Sequence, residues 1–79
     1  MMTTEEMKDA LRSGYPVIWR GPMDYQRARG SITAIITRCE DGYFRNYAEV
    51  TELRGNIKTI YICSPNEISR YDPLNTGGK

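Results

Sequence analysis

Apolar residues recur along this chain with two different periods, and the change falls at a glycine. Between residues 3 and 13, Met7, Ala10 and Leu11 occupy positions i, i+3 and i+4, while Lys8, Asp9 and Arg12 point elsewhere. That spacing predicts a short amphipathic helix. Its start is marked by Thr3-Thr4-Glu5-Glu6, where a threonine N-cap and a glutamate three residues on satisfy each other's backbone donors, and where acids suit the positive end of the helix dipole. Gly14 supplies the stop, because glycine adopts the left-handed conformation that closes helices. So short a helix is marginal alone and must dock on something.

From Tyr15 the period becomes two, and four strands are predicted. The first covers 16–20, with Val17, Ile18 and Trp19 apolar and Pro16 tolerated at a strand start. After a turn at Gly21-Pro22-Met23-Asp24, a long second strand runs over 25–38, and Ile32, Ala34 and Ile36 form its apolar row. Gly30 interrupts it, the mark of a bulge or bend that puts the two halves out of phase. Asp41-Gly42 reads as a tight hairpin into a third strand over 43–53, whose even positions Phe44, Ala48 and Val50 are the core candidates. Arg54-Gly55-Asn56 closes a second hairpin into the fourth strand, 57–63, with Ile60 and Ile62 expected inside and Thr59 and Tyr61 outside. Ser64-Pro65-Asn66-Glu67 is a second capping box with proline at its first position, predicting a helical or 3₁₀ turn that ends near Ile68. Residues 72–79 have the composition of a loose tail.

These elements predict one domain over 1–79 and a mainly β fold. The expected architecture is a small SH3-like antiparallel barrel of four to five strands, spanning about 16–70, with a short N-terminal α-helix and a C-terminal 3₁₀-like turn. Curling the sheet allows roughly 60 ordered residues to bury a core. Ile32, Ile36, Val50, Ile60 and Ile62 are the expected core. An open α+β sheet with the helix across one face is the alternative.

The order of helix, Gly14, Pro16-Val17-Ile18, Ile32-Thr33-Ala34-Ile35-Ile36, Ala48-Glu49-Val50 and Ile60-Tyr61-Ile62 leading to Ser64-Pro65-Asn66-Glu67-Ile68 resembles small SH3-like barrel proteins of phages and mobile elements of Gram-positive bacteria. The resemblance spans residues 5–70. It implies the barrel and a bacterial, mobile-element origin, and brings no catalytic residue, since those proteins are mostly without assigned activity. A helix before a strongly bent barrel is also similar to the Sm-like RNA-binding proteins. Their bacterial group carries a Lys-His dipeptide that a chain without histidine lacks.

Charge and cysteine usage act mainly by exclusion. The net charge of +1 divides into −1 over 1–15, +2 over 16–62 and 0 over 63–79, so no segment is a basic tail or an acidic brush. No uncharged stretch exceeds the eight residues of 30–37, far short of the roughly 20 that span a bilayer. The acidic N-terminus lacks the pattern of an export signal, so a cytoplasmic protein without membrane contact is expected. With no histidine, and with Cys39 and Cys63 outside any Cys-x-x-Cys pair, neither a zinc site nor another cofactor is expected. Both thiols are expected as small buried hydrophobes, unpaired because the third strand lies between them. Ser31, Ser64 and Cys39 lack a histidine base and a nucleophile motif, and the pairs Glu5-Glu6 and Glu40-Asp41 have structural reasons to exist, so no enzyme is expected.

Tyrosine and arginine carry the remaining chemistry. Tyr25, Arg27, Arg29, Tyr43, Arg45, Tyr47 and Tyr61 recur across three consecutive strands. If the even positions of the third and fourth strands face inward, Arg45, Tyr47, Thr59 and Tyr61 form one outer patch, with Arg27 and Arg29 as the second candidate surface. Such a face suits protein binding or self-association; the alternative is RNA or single-stranded DNA, with bases on tyrosine and phosphates on arginine. Cross-strand tyrosine pairing explains the same residues without any partner.

Overall fold

The computed structural model describes residues 1–23 and 25–72. Asp24 of the expected first turn, and the expected tail from Pro73 onward, lie outside the described residues. Helix α1 (Thr4–Ser13) begins on the anticipated box. Thr3 Oγ1 accepts from the Glu6 amide at 3.1 Å, and Glu6 Oε1 accepts from the Thr3 amide at 2.8 Å. Gly14 ends it at φ 76°, donating its N–H to the Ala10 carbonyl. Strands β1 (Pro16–Arg20), β2 (Arg27–Glu40), β3 (Tyr43–Arg54) and β4 (Ile57–Cys63) follow, then a 3₁₀ turn (Pro65–Glu67) and β5 (Ile68–Arg70).

The five strands form one antiparallel sheet in the order β4-β3-β2-β1-β5. The mainly β content, the N-terminal helix and the 3₁₀ turn match expectation. Closure does not: β4 and β5 are opposite edges of an open sheet, as in the alternative reading. The 3₁₀ turn carries the chain from one edge to the other, and β5 is only three residues long, its pairing confined to β1 through Val17↔Arg70, Ile18↔Ser69 and Trp19↔Ile68.

Met7 and Ala10 of α1 meet Val17, Ile32, Ala48, Val50, Cys63 and Ile68 in a single core, joined by Met2, whose amide donates to the Pro65 carbonyl. Tyr15, Trp19, Ile35 and Tyr61 pack against it. Of the expected core, Ile32 and Val50 are buried, whereas Ile60 and Ile62 are 50% and 42% exposed. The tight Gly55-Asn56 turn explains this, because it sets Arg54 opposite Ile57 and so places every even residue of β3 across from an odd residue of β4. Ala48 faces Cys63 and Val50 faces Tyr61, so Tyr61 points inward and the isoleucines outward.

Ile36 leaves the core for a different reason. Ile32 pairs with Val50 but Ala34 pairs with Glu49, so Thr33 is an extra residue and the phase of β2 inverts there. Ile35 then shares the inner face with Ala48, and Ile36 pairs with Tyr47 on the outer one. The expected phase break at Gly30 is absent, since Ala28 and Ile32 on either side are both buried. Phe44, expected in the core, is 78% exposed, and Cys39, paired with it, is exposed rather than buried. Both sit on the end of the β2–β3 hairpin, which projects past the start of α1; Asn46 Nδ2 meets Thr4 Oγ1 there at 3.5 Å.

Candidate interaction surface

The structure divides the expected patch between two faces of the sheet. Arg45 and Tyr47 lie on the outer face, away from α1. Thr59 and Tyr61 lie on the inner one, and the Tyr61 ring stacks on Trp19 with centroids 4.7 Å apart. The Tyr61 hydroxyl donates to Glu52 Oε1 at 3.2 Å. Burial pushes its pKa above the ordinary tyrosine value, and the neighbouring Glu52 charge raises it further. Tyr61 is thus packed against the core on the inner face and tied to Glu52.

Around Tyr47 the outer face is organised. Its hydroxyl donates to the Glu40 carboxylate, with oxygens at 2.9 and 3.0 Å, and this hydrogen bond raises the tyrosine pKa. Arg45 Nε reaches Glu40 Oε1 at 3.3 Å, and the Arg38 guanidinium lies 5.2 Å over the Tyr47 ring. Arg38 and Arg45 are direct cross-strand partners, a like-charge pair that Glu40 and the ring compensate. An open depression of about 510 Å³ beside this cluster is lined by Met1, Arg45, Asn46, Tyr47, Ser64, Pro65 and Asn66. Ile36 pairs with Tyr47 on this face, and Ile62 and Ile60, paired with Glu49 and Thr51, stand on it at the β4 edge.

The structure thus replaces Thr59 and Tyr61 with Ile60 and Ile62 in the exposed patch. The signal that identifies them in the sequence is the parity of a two-residue hairpin. Arg27 and Arg29 lie on the first half of β2, also facing out, with Arg29 4.9 Å over the Tyr71 ring. Among the described residues, no three His, Cys, Asp or Glu side chains gather to hold a metal. No helix of the described residues is long and apolar enough to cross a membrane.

The two thiols are unpaired and differ in environment. Burial pushes the Cys63 thiol up to about 12, while Cys39 is exposed. Iodoacetamide at about pH 8 is expected to alkylate only Cys39 in the native protein; mass spectrometry finding Cys63 modified first would contradict its burial. The shift also sets a pH dependence. Because the folded thiol titrates above its unfolded value of 9.0, its contribution to stability is intact below pH 9 and declines as pH rises toward 12. Equilibrium unfolding of a Cys63→Ser variant should lose part of that alkaline decline.

No family model, curated protein or solved structure matches this chain.

Proposed function

We propose that this chain is a noncatalytic protein-interaction module of SH3-like type, which associates with a protein partner, a second copy included, through the outer face of β2, β3 and β4. The observation carrying this reading is the exposure of Ile60 and Ile62 on an edge strand beside the ordered Arg45–Glu40–Tyr47 cluster. An unpaired edge with apolar side chains is a template for strand addition, and Tyr and Arg beside it are the side chains enriched at interface centres. Lys58 is the only charge on β4 to oppose such pairing.

Sedimentation equilibrium tests self-association directly. The wild type should dimerise with rising concentration, and Ile60→Ser with Ile62→Ser should remain monomeric while unfolding within about 0.5 kcal/mol per site of the wild type. Should the wild type stay monomeric, capture from host lysate with nuclease present should yield a protein that the double variant loses. Partners retained equally by the double variant would overturn the proposal.

A further inference from the structure

The structure carries a second patch on the same outer face, on the β1 side of the sheet, away from the Ile60–Ile62 edge. Arg20 of β1 and Arg27 of β2 are direct cross-strand partners, and Arg29 follows Arg27 at the next outward position of β2. Like charges directly opposite one another destabilise a sheet. At the β2–β3 hairpin the equivalent pair, Arg38 and Arg45, is compensated by Glu40 and Tyr47. Among the described residues Arg20, Arg27 and Arg29 have no ion pair, and Glu52 is taken up by Arg54 at 3.1 Å. Among the described residues the Arg20–Arg27 pair therefore has no carboxylate partner, while Arg29 is held 4.9 Å over the Tyr71 ring.

The row borders a cleft. Ser31↔Thr51 is the last register pair between β2 and β3; beyond it β2 follows β1 and β3 follows β4. Arg27, Arg29, Arg54, Leu53 and the Arg54-paired Glu52 line the resulting groove of about 370 Å³, and a second opening of about 410 Å³ shares Arg29 and Leu53 with it. Tyr25, 80% exposed, precedes Arg27 by two residues.

We propose that this arginine cleft binds the sugar–phosphate backbone of a single-stranded nucleic acid. Alternate residues on one face of a strand stand about 6.7 Å apart. Arg27 and Arg29 so present charge at a spacing of the order of successive phosphates on an extended strand. Arginine forks grip phosphate oxygens in pairs, and the exposed Tyr25, in the turn just before Arg27, offers a base a stacking surface. An acidic protein segment would meet the charge but leave Tyr25 without a role.

Fluorescence anisotropy of a labelled oligo(dT) of about 12 nucleotides tests this. With three phosphate contacts, affinity should fall on the order of 15–20-fold between about 50 and 200 mM salt. Arg20→Gln with Arg27→Gln should weaken binding at least about tenfold and flatten the salt slope to about a third. Relief of the like-charge pair should leave the melting temperature of that variant unchanged or higher. Arg45→Gln, and Ile60→Ser with Ile62→Ser, should bind as the wild type does, which separates this patch from the protein-binding one. The proposal is overturned if no anisotropy change occurs at low salt, if Arg45→Gln weakens binding equally, or if the arginine variant melts earlier than the wild type. Displacement of the oligonucleotide by a poly-glutamate peptide at equal charge concentration would assign the cleft to acidic proteins instead.

Discussion

Ile68→Ala should destabilise the protein by about 2–5 kcal/mol, because it removes most of an aliphatic side chain from a closed core and leaves a cavity that neighbours fill only in part. Ile68 is 1% exposed and belongs to the core built by Met7, Val17, Val50 and Cys63. It also anchors β5, whose register against β1 begins at Trp19↔Ile68. Domains of this size are stable by only about 4–12 kcal/mol, so the loss is a large fraction of the total. Urea unfolding followed by far-UV circular dichroism should place the variant's midpoint far below that of the wild type. Ile60→Ala is the matched control. At a concentration where the chain is monomeric it should cost under about 0.5 kcal/mol, because Ile60 is half exposed. Equal losses at the two positions would mean that the register between β3 and β4 is wrong.

Gly30→Val should cost about 3 kcal/mol or more and leave a substantial fraction of the chain unfolded. A Cβ at Gly30 collides with the Thr51 carbonyl oxygen, lies 2.9 Å from its carbon and 3.0 Å from Val50 Cγ1. Two of these atoms are backbone held in the β2–β3 ladder, so relief requires moving a strand rather than turning a side chain, and overpacked sites already cost about 1–3 kcal/mol when side chains can give. Gly30→Ala should be milder but in the same direction. Unfolding curves for both variants decide the matter. If Gly30→Ala is neutral, the close approach of β2 to Thr51 is absent in solution, and with it the divergence of strands that opens the arginine cleft.

The amphipathic spacing of Met7 and Ala10, the Thr3–Glu6 box, the Asp41-Gly42 and Gly55-Asn56 turns and the Ser64–Glu67 box were all legible, because each depends on neighbours a few residues apart. Strands at 16–20 and 57–63 were legible for the same reason. Which face each strand turns inward is less local, and apolar alternation alone places Ile36, Ile60, Ile62 and Tyr61 on the opposite faces from those they occupy. For β4 the information is in the chain: a two-residue loop joins Arg54 to Ile57, and buried even positions on β3 then require odd ones on β4. Hydrophobicity argues the opposite, since isoleucine looks more like core than threonine or tyrosine, and the backbone ladder prevails because slipping it by one residue inverts every side chain.

For β2 nothing local marks the change of phase. Thr33 is the bulge, although Gly30 carries the residue type expected of one. Thr33 Oγ1 bonds Glu49 Oε1 at 2.6 Å and lies 2.9 Å from Thr51 Oγ1, contacts that exist only once β3 is in place. β5 likewise has no strand signature in three residues and forms because Ile68 fills the core while its backbone pairs with β1. By itself the sequence determined the helix, four of the five strands and their turns, since these follow from interactions within a few residues. Tertiary structure decided the open sheet, the inversion at Thr33, and therefore which tyrosines and isoleucines face a partner. Those outcomes depend on register between segments far apart in the chain, where a shift of one residue costs little locally and exchanges core for surface globally.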